Sequence, residues 1–191
     1  MDGVAGMAAA RPAGGCDSAP KVAPEPAPDP PEAKGFGHVT YRTYASEADL
    51  DAIMNLVDQE LSEPYSVFTY RYFVYNWPKL CFLAMEEVDG KEHCVGALVC
   101  KMDLHKDMMR GYVAMLVVER RLRKRGIGRS LVELAIDEMV AEGCHEIVLE
   151  AEVSNKSALA LYSKFGFIRD KRLHKYYLTG TDAFRLKLLL P

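Results

Sequence analysis

Arg123-Lys124-Arg125-Gly126-Ile127-Gly128 is the stretch on which the fold of this chain turns. It follows a strongly apolar run, Gly111 to Val118. It opens a segment in which Leu131, Val132, Ala135, Ile136, Met139 and Val140 recur at helical spacing. A strand, a basic glycine loop and a helix in that order suit a phosphate. The first turn of a helix presents N–H groups with no intrahelical acceptor, and glycine lets a ligand approach the backbone. Arg120, Arg121 and Arg129 extend the positive field. The glycine spacing is neither GxGxxG nor GxxxxGK[ST]. Taken alone, the loop leaves three readings open: a phosphate cradle, a solvated basic loop, or a weak RNA patch.

Working outward, the hydrophobic pattern predicts strands over Val39 to Tyr44, Leu80 to Glu86, His93 to Lys101 and Gly111 to Val118. Val88-Asp89-Gly90-Lys91 supplies a hairpin turn between the second and third. Ser46 and Asp49 cap a helix carrying Leu50, Ile53, Met54, Val57 and Leu61, which Pro64 ends. A second, aromatic-rich helix runs from Val67 to Asn76. After the helix from Gly128 to Glu142 come a strand over Glu146 to Val153 and a short helix over residues 155 to 165. Phe167 to Leu178 and Ala183 to Leu190 read as a closing strand pair. The order β-α-α-β-β-β-α-β-α-β-β predicts an α/β (α+β) three-layer domain. Its mixed, mostly antiparallel central sheet would be flanked by helices.

The chain has 191 residues, 49% apolar and 27% charged, enough for one domain with a real core. Pro12, Pro20, Pro24, Pro26, Pro28, Pro30 and Pro31 crowd the N-terminal part. Residues 1–38 therefore read as a disordered Pro/Ala-rich tail and 39–191 as the folded domain. A net charge of −3 gives no wide field for nucleic acid. No apolar run is long enough to span a membrane as a helix. Cys16, Cys81, Cys94, Cys100 and Cys144 form no CxxC pair, and the histidines are equally dispersed, so no metal site is expected. The thiols read as reduced and the protein as cytoplasmic.

A second motif changes the weight of the first. Arg123-x-x-Gly126-x-Gly128 together with Asn155-x-x-Ala158-x-x-Leu161-Tyr162-x-x-x-Gly166-Phe167 resembles the two signatures of the GCN5-related N-acetyltransferase superfamily. The resemblance extends to Leu61-Ser62-Glu63-Pro64-Tyr65-Ser66, Tyr70-Arg71-Tyr72-Phe73, Arg110-Gly111-Tyr112, Leu149-Glu150-x-Glu152 and Tyr176-Tyr177-Leu178-x-Gly180-x-Asp182-Ala183. With these, residues 39 to 190 are most similar to catalytic subunits of NatC N-terminal acetyltransferases.

That resemblance implies acetyl-CoA as cofactor. The loop Arg123, Lys124, Arg125, Gly126, Ile127, Gly128 and Arg129 would bind its pyrophosphate, and Leu116, Val117 and Val118 would line the pantetheine and acetyl group. Asn155 and Tyr162 would complete the site. It implies Glu150 as general base and Tyr162 as the acid that protonates the leaving thiolate. Glu152, two residues on and on the same strand face, is the rival base. Leu61, Glu63, Tyr65, Tyr112, Tyr176 and Tyr177 would recognise the peptide. The substrates implied are nascent polypeptide N-termini beginning with Met and a large hydrophobic residue. The partners implied are a large auxiliary subunit, a small one and the ribosome, with no membrane.

The chemistry suits a mild base. An α-amine has a pKa of about 7.7–8.0 and a lysine about 10.4, so only the former is appreciably neutral near pH 7. A lysine or small-amine acetyltransferase on the same fold would need stronger deprotonation. A non-catalytic acyl-CoA-binding scaffold would need neither Glu150 nor Tyr162.

Overall fold

The structure, a computed structural model, describes Lys21, Val22 and residues 38–61 and 65–190. In chain order the elements are β1 (Lys21–Val22), β2 (Val39–Thr43), α1 (Glu47–Glu60), α2 (Val67–Asn76), β3 (Cys81–Val88), β4 (Lys91–His105), β5 (Met108–Val118), α3 (Ile127–Ala141), β6 (Glu146–Glu152), α4 (Lys156–Lys164), β7 (Ile168–Leu173) and β8 (Ala183–Leu189). From β2 onward this is the predicted order. Several boundaries differ: the strand expected over His93 to Lys101 runs from Lys91 to His105 and the next starts at Met108, while the strand expected to reach Leu178 stops at Leu173, so Tyr176 and Tyr177 lie in a loop. Asp182 holds that loop closed, accepting the Lys175 N–H at 2.8 Å and the Arg172 guanidinium at 2.7 Å. The expected tail lies outside the described residues apart from Lys21–Val22 and His38.

The sheet runs β2-β3-β4-β5-β6-β8-β7, antiparallel except for the parallel pair β5–β6. Residues of β3 alternate between two cores, as a period of two requires. Leu80, Phe82 and Ala84 join Leu131, Ala135, Met139 and Tyr162 from α3 and α4. Cys81, Leu83 and Met85 join Leu50, Ile53, Val57, Tyr70 and Phe73 from α1 and α2. Asp89 and Gly90, at φ 52 and 72, form the expected hairpin turn.

The parallel pair β5–β6 is short, which matters most for function. Arg110, Gly111 and Tyr112 pair with Glu146, Ile147 and Val148, and there the ladder ends, although β5 continues to Val118 and β6 to Glu152. The departure coincides with a register shift on the other edge of β5. Val99 pairs with Met115 and Cys100 with Val113, leaving Ala114 as an extra residue. Such a bulge bends and twists the strand that carries it. Gly111 anchors the paired half: a Cβ there would sit 2.4 Å from the Met139 sulfur. In the gap beyond, Lys21–Val22 lies parallel to β5, opposite Met115 and Leu116. The gap therefore admits one extended backbone.

Candidate active site

The predicted glycine loop caps α3. Gly126 is the N-cap at φ 89, where glycine is favoured, and Ser130 N–H makes the first intrahelical bond to its carbonyl at 2.9 Å. The N–H groups of Ile127, Gly128 and Arg129 have no intrahelical acceptor. Lys124, at φ 64, aids the tight turn into this cap. Gly128 faces Val118 and Leu161 at ordinary contact distance, so the fold itself has room for a side chain there.

The arginines divide. Arg123, expected to lend charge to the phosphate site, is held by the Glu60 carboxylate at 2.6 Å and by the Val118 carbonyl at 2.9 Å. Burial, with Arg120 nearby, lowers its pKa, and Glu60 opposes that shift. Arg121 lies between the carboxylates of Glu86 and Glu119. Lys124, Arg125 and Arg129 are exposed around the cap. Arg123 thus braces the loop, and field is supplied by the other three.

Leu116, Val117 and Val118 fall on the part of β5 that has left β6, as the predicted lining requires. Asn155 is buried and caps α4, its Oδ1 accepting the Ala158 N–H at 3.0 Å. Its structural role orients the helix that carries Tyr162. Tyr162 is fully buried, edge-on to Phe167 at 5.3 Å, and its hydroxyl has no hydrogen-bond partner among the described residues. Burial, with Cys100 and Tyr177 nearby, raises its pKa far above the ordinary phenol range.

Glu150 lies on the other face of the sheet. Ile147, Leu149 and Ala151 pack into the core shared with Tyr162, so Glu146, Val148 and Glu150 project to the side of α1 and α2. Glu150 is fully buried. Its Oε1 receives Arg185 Nε at 2.6 Å, and its Oε2 receives the Tyr112 hydroxyl at 3.0 Å. Burial, with Glu150, Tyr176 and Tyr65 close by, holds the Tyr112 phenol well above its ordinary range. Of the residues expected at the peptide site, Tyr112 therefore bonds this carboxylate, and Tyr65 and Tyr176 lie near Tyr112. Leu61 and Tyr65 pack on the adjoining core, and Tyr177 abuts Tyr176 edge-on at 5.3 Å. Glu63 lies outside the described residues. Glu152, the rival base, is half-buried at the end of β6.

Sequence reasoning missed Arg185 and Glu60. Period two along Ala183 to Leu189 places Arg185 and Lys187 on one face. Pairing them with Glu150 requires knowing that β8 lies beside β6. Glu60 closes α1, 63 positions from its partner.

Residues 50–167 match the model of the acetyltransferase (GNAT) family, and the chain belongs to that family. N-alpha-acetyltransferase MAK3 of Arabidopsis thaliana is 63% identical over 155 residues, covering 81% of this chain and 80% of its own length. Human N-alpha-acetyltransferase 30 is 57% identical over 153 residues, covering 80% of this chain but 41% of its own. The chain thus spans most of the plant relative and less than half of the human one. Among solved structures, a chain from the crystal structure of the NatC complex bound to Gag peptide and CoA superposes with a TM-score of 0.78. It is 46% identical, and the match covers 81% of this chain and 99% of that one.

Proposed function

We propose that this chain transfers acetyl from acetyl-CoA to the N-terminal α-amine of polypeptides beginning with Met and a large hydrophobic residue. It does so as the catalytic subunit of a NatC-type complex with a large and a small auxiliary subunit. Its place of action is the cytoplasm, at the ribosome. The observation that carries the chemistry is the pair Glu150 and Tyr162. Both are fully buried, and they belong to opposite faces of the sheet beside the gap between β5 and β6. Support for the substrate class comes from the likeness to relatives named N-alpha-acetyltransferase 30 and to a NatC chain crystallised with peptide and CoA. The described cysteines, Cys81, Cys94, Cys100 and Cys144, are free thiols, which supports a reducing compartment.

The residues fit acetyl-CoA. The amides of Ile127, Gly128 and Arg129 suit its pyrophosphate. The part of β5 that has left β6, where Lys21–Val22 pairs with Met115 and Leu116, has the backbone groups that an extended arm would use. The buried hydroxyl of Tyr162 has a proton to give and no acceptor for it among the described residues. When bound, acetyl-CoA supplies a thioester activated for acyl transfer. On the opposite face Glu150 Oε2 takes a proton from the incoming amine, directly or through water, while Tyr112 fixes that oxygen. Tyr162 holds the proton that the departing sulfur needs. A carboxylate is strong enough for an α-amine, which is partly neutral near pH 7, and weak for a lysine.

A peptide panel tests the reading. A Met-Leu-initiated peptide is acetylated faster than one whose amine is an internal lysine, and Glu150→Gln slows transfer about 100-fold or more. Equal rates on the two peptides would remove the α-amine assignment.

A further inference from the structure

We propose that Arg185 is a positioning residue for acetyl transfer: it occupies one oxygen of Glu150 and so selects the other, Oε2, as the proton acceptor. The inference deepens the acetyltransferase reading and rests on it.

Glu150 and Arg185 are register partners on the antiparallel strands β6 and β8, so their side chains rise from the same face. Arg185 Nε and its terminal nitrogen both lie 2.6 Å from Glu150 Oε1. A carboxylate oxygen has about two lone-pair sites, so Oε1 is filled. Oε2 receives only the Tyr112 hydroxyl, which leaves it one site that no described residue engages. The carboxylate is thus directed, with one oxygen committed to the scaffold and one turned toward Tyr112.

Glu146, four residues earlier on the same face of β6, shows what a purely structural glutamate looks like here. Its Oε1 is taken by Arg110, and its Oε2 by Lys187 at 3.1 Å. Both oxygens face cations, and neither is turned to a phenol. Two buried glutamates with similar exposure therefore differ in one respect: the second oxygen faces a lysine at Glu146 and a neutral phenol at Glu150. Arg185 commits its Nε and a terminal nitrogen to Oε1, as Arg110 does at Glu146, so the oxygen left over at Glu150 is the one beside the phenol. It also neutralises a charge that burial would otherwise expel.

The test compares the full chain with Arg185→Ala and Arg185→Lys, measuring kcat on a Met-Leu-initiated peptide and the dissociation constant for acetyl-CoA. Arg185→Ala is expected to lower kcat about 100-fold, with acetyl-CoA affinity within about twofold of wild type. Added guanidinium at millimolar concentration restores the rate, because the side chain is partly exposed, at 24%. Urea, of the same shape but neutral, does not. Arg185→Lys keeps the charge without the fork and falls between the two. An unchanged kcat in Arg185→Ala overturns the proposal, as does equal rescue by urea or a matching loss of acetyl-CoA affinity. If Arg185→Ala does not fold, Arg185→Lys alone decides by the same split between kcat and affinity. A wild-type chain that binds acetyl-CoA yet acetylates no peptide would fail the functional reading instead.

Discussion

The Glu60 carboxylate receives the Arg123 guanidinium at 2.6 Å and the backbone N–H of Arg120 at 2.9 Å. It joins the last residue of α1 to the loop that precedes α3. Both members of the ion pair are largely buried, at 14% and 13% exposure. Leu61, the next residue, packs on the core beneath α1. One carboxylate thereby braces the loop proposed to hold the cofactor from the end of α1.

Removing that brace should loosen the loop. Glu60→Ala leaves Arg123 without its anion and is expected to cost about 3 kcal/mol of stability. The KM for acetyl-CoA should rise several-fold, while the rate at saturating acetyl-CoA changes less. Denaturant titration and steady-state kinetics on the same preparation check both halves.

Gly128→Ala should separate ligand binding from folding. A methyl group there meets Val118 and Leu161 at 3.6 and 3.8 Å, which the fold accommodates. Alanine also favours a helical backbone by up to about 1 kcal/mol relative to glycine. The variant should melt at or above the wild-type temperature and bind acetyl-CoA at least tenfold more weakly. Calorimetric titration beside a thermal melt would show it, and unimpaired binding would move the pyrophosphate away from this amide.

Tyr162→Phe gives the complementary dissociation. The hydroxyl is buried without a partner among the described residues, so its removal should leave stability unchanged or raise it by about 1 kcal/mol. Catalysis should nonetheless fall by about 100-fold if the phenol is the acid that meets the departing sulfur. Unchanged turnover would return Tyr162 to the core.

Asp49 makes a pH prediction. Arg42 binds it through two nitrogens at 2.6 and 2.8 Å, and the Ala45 and Ser46 N–H groups donate to it as well. The Arg42 hydrogen bonds, helped by these N–H groups against burial, hold its pKa below the usual value. A depressed folded-state pKa stabilises the fold above the unfolded value of about 3.9, and the gain fades as pH falls through the folded value. Asp49→Asn should therefore cost about 2 kcal/mol at pH 7, with the gap to wild type closing below about pH 4. Urea midpoints across that range measure it.

Much of the molecule was legible because its signals are local. The alternation in Cys81 to Met85, the helical stripe from Leu131 to Met139 and the Asp89-Gly90 turn each identify an element within a few residues. The cap at Gly126 and the buried Tyr162 follow from two short motifs. What escaped depends on pairing across distance. Nothing in the sequence announces that β8 inserts between β6 and β7, so Glu150 and Arg185 could not be joined. Glu60 and Arg123 are hidden for the same reason. The strand expected to reach Leu178 stops early, with Asp182 closing the irregular loop that follows Leu173.

Glu150 and Tyr162 belong to opposite faces of the sheet, and the parting of β5 from β6 makes that sheet a wall with a slit in it. If acetyl-CoA and peptide bind as proposed, traffic through the enzyme is segregated. The nucleotide end would reach the slit past α3 and α4, and the polypeptide past α1 and the Tyr176 loop. Each spent molecule would withdraw on the side from which it came, so departure of free CoA need not wait for the acetylated chain to clear.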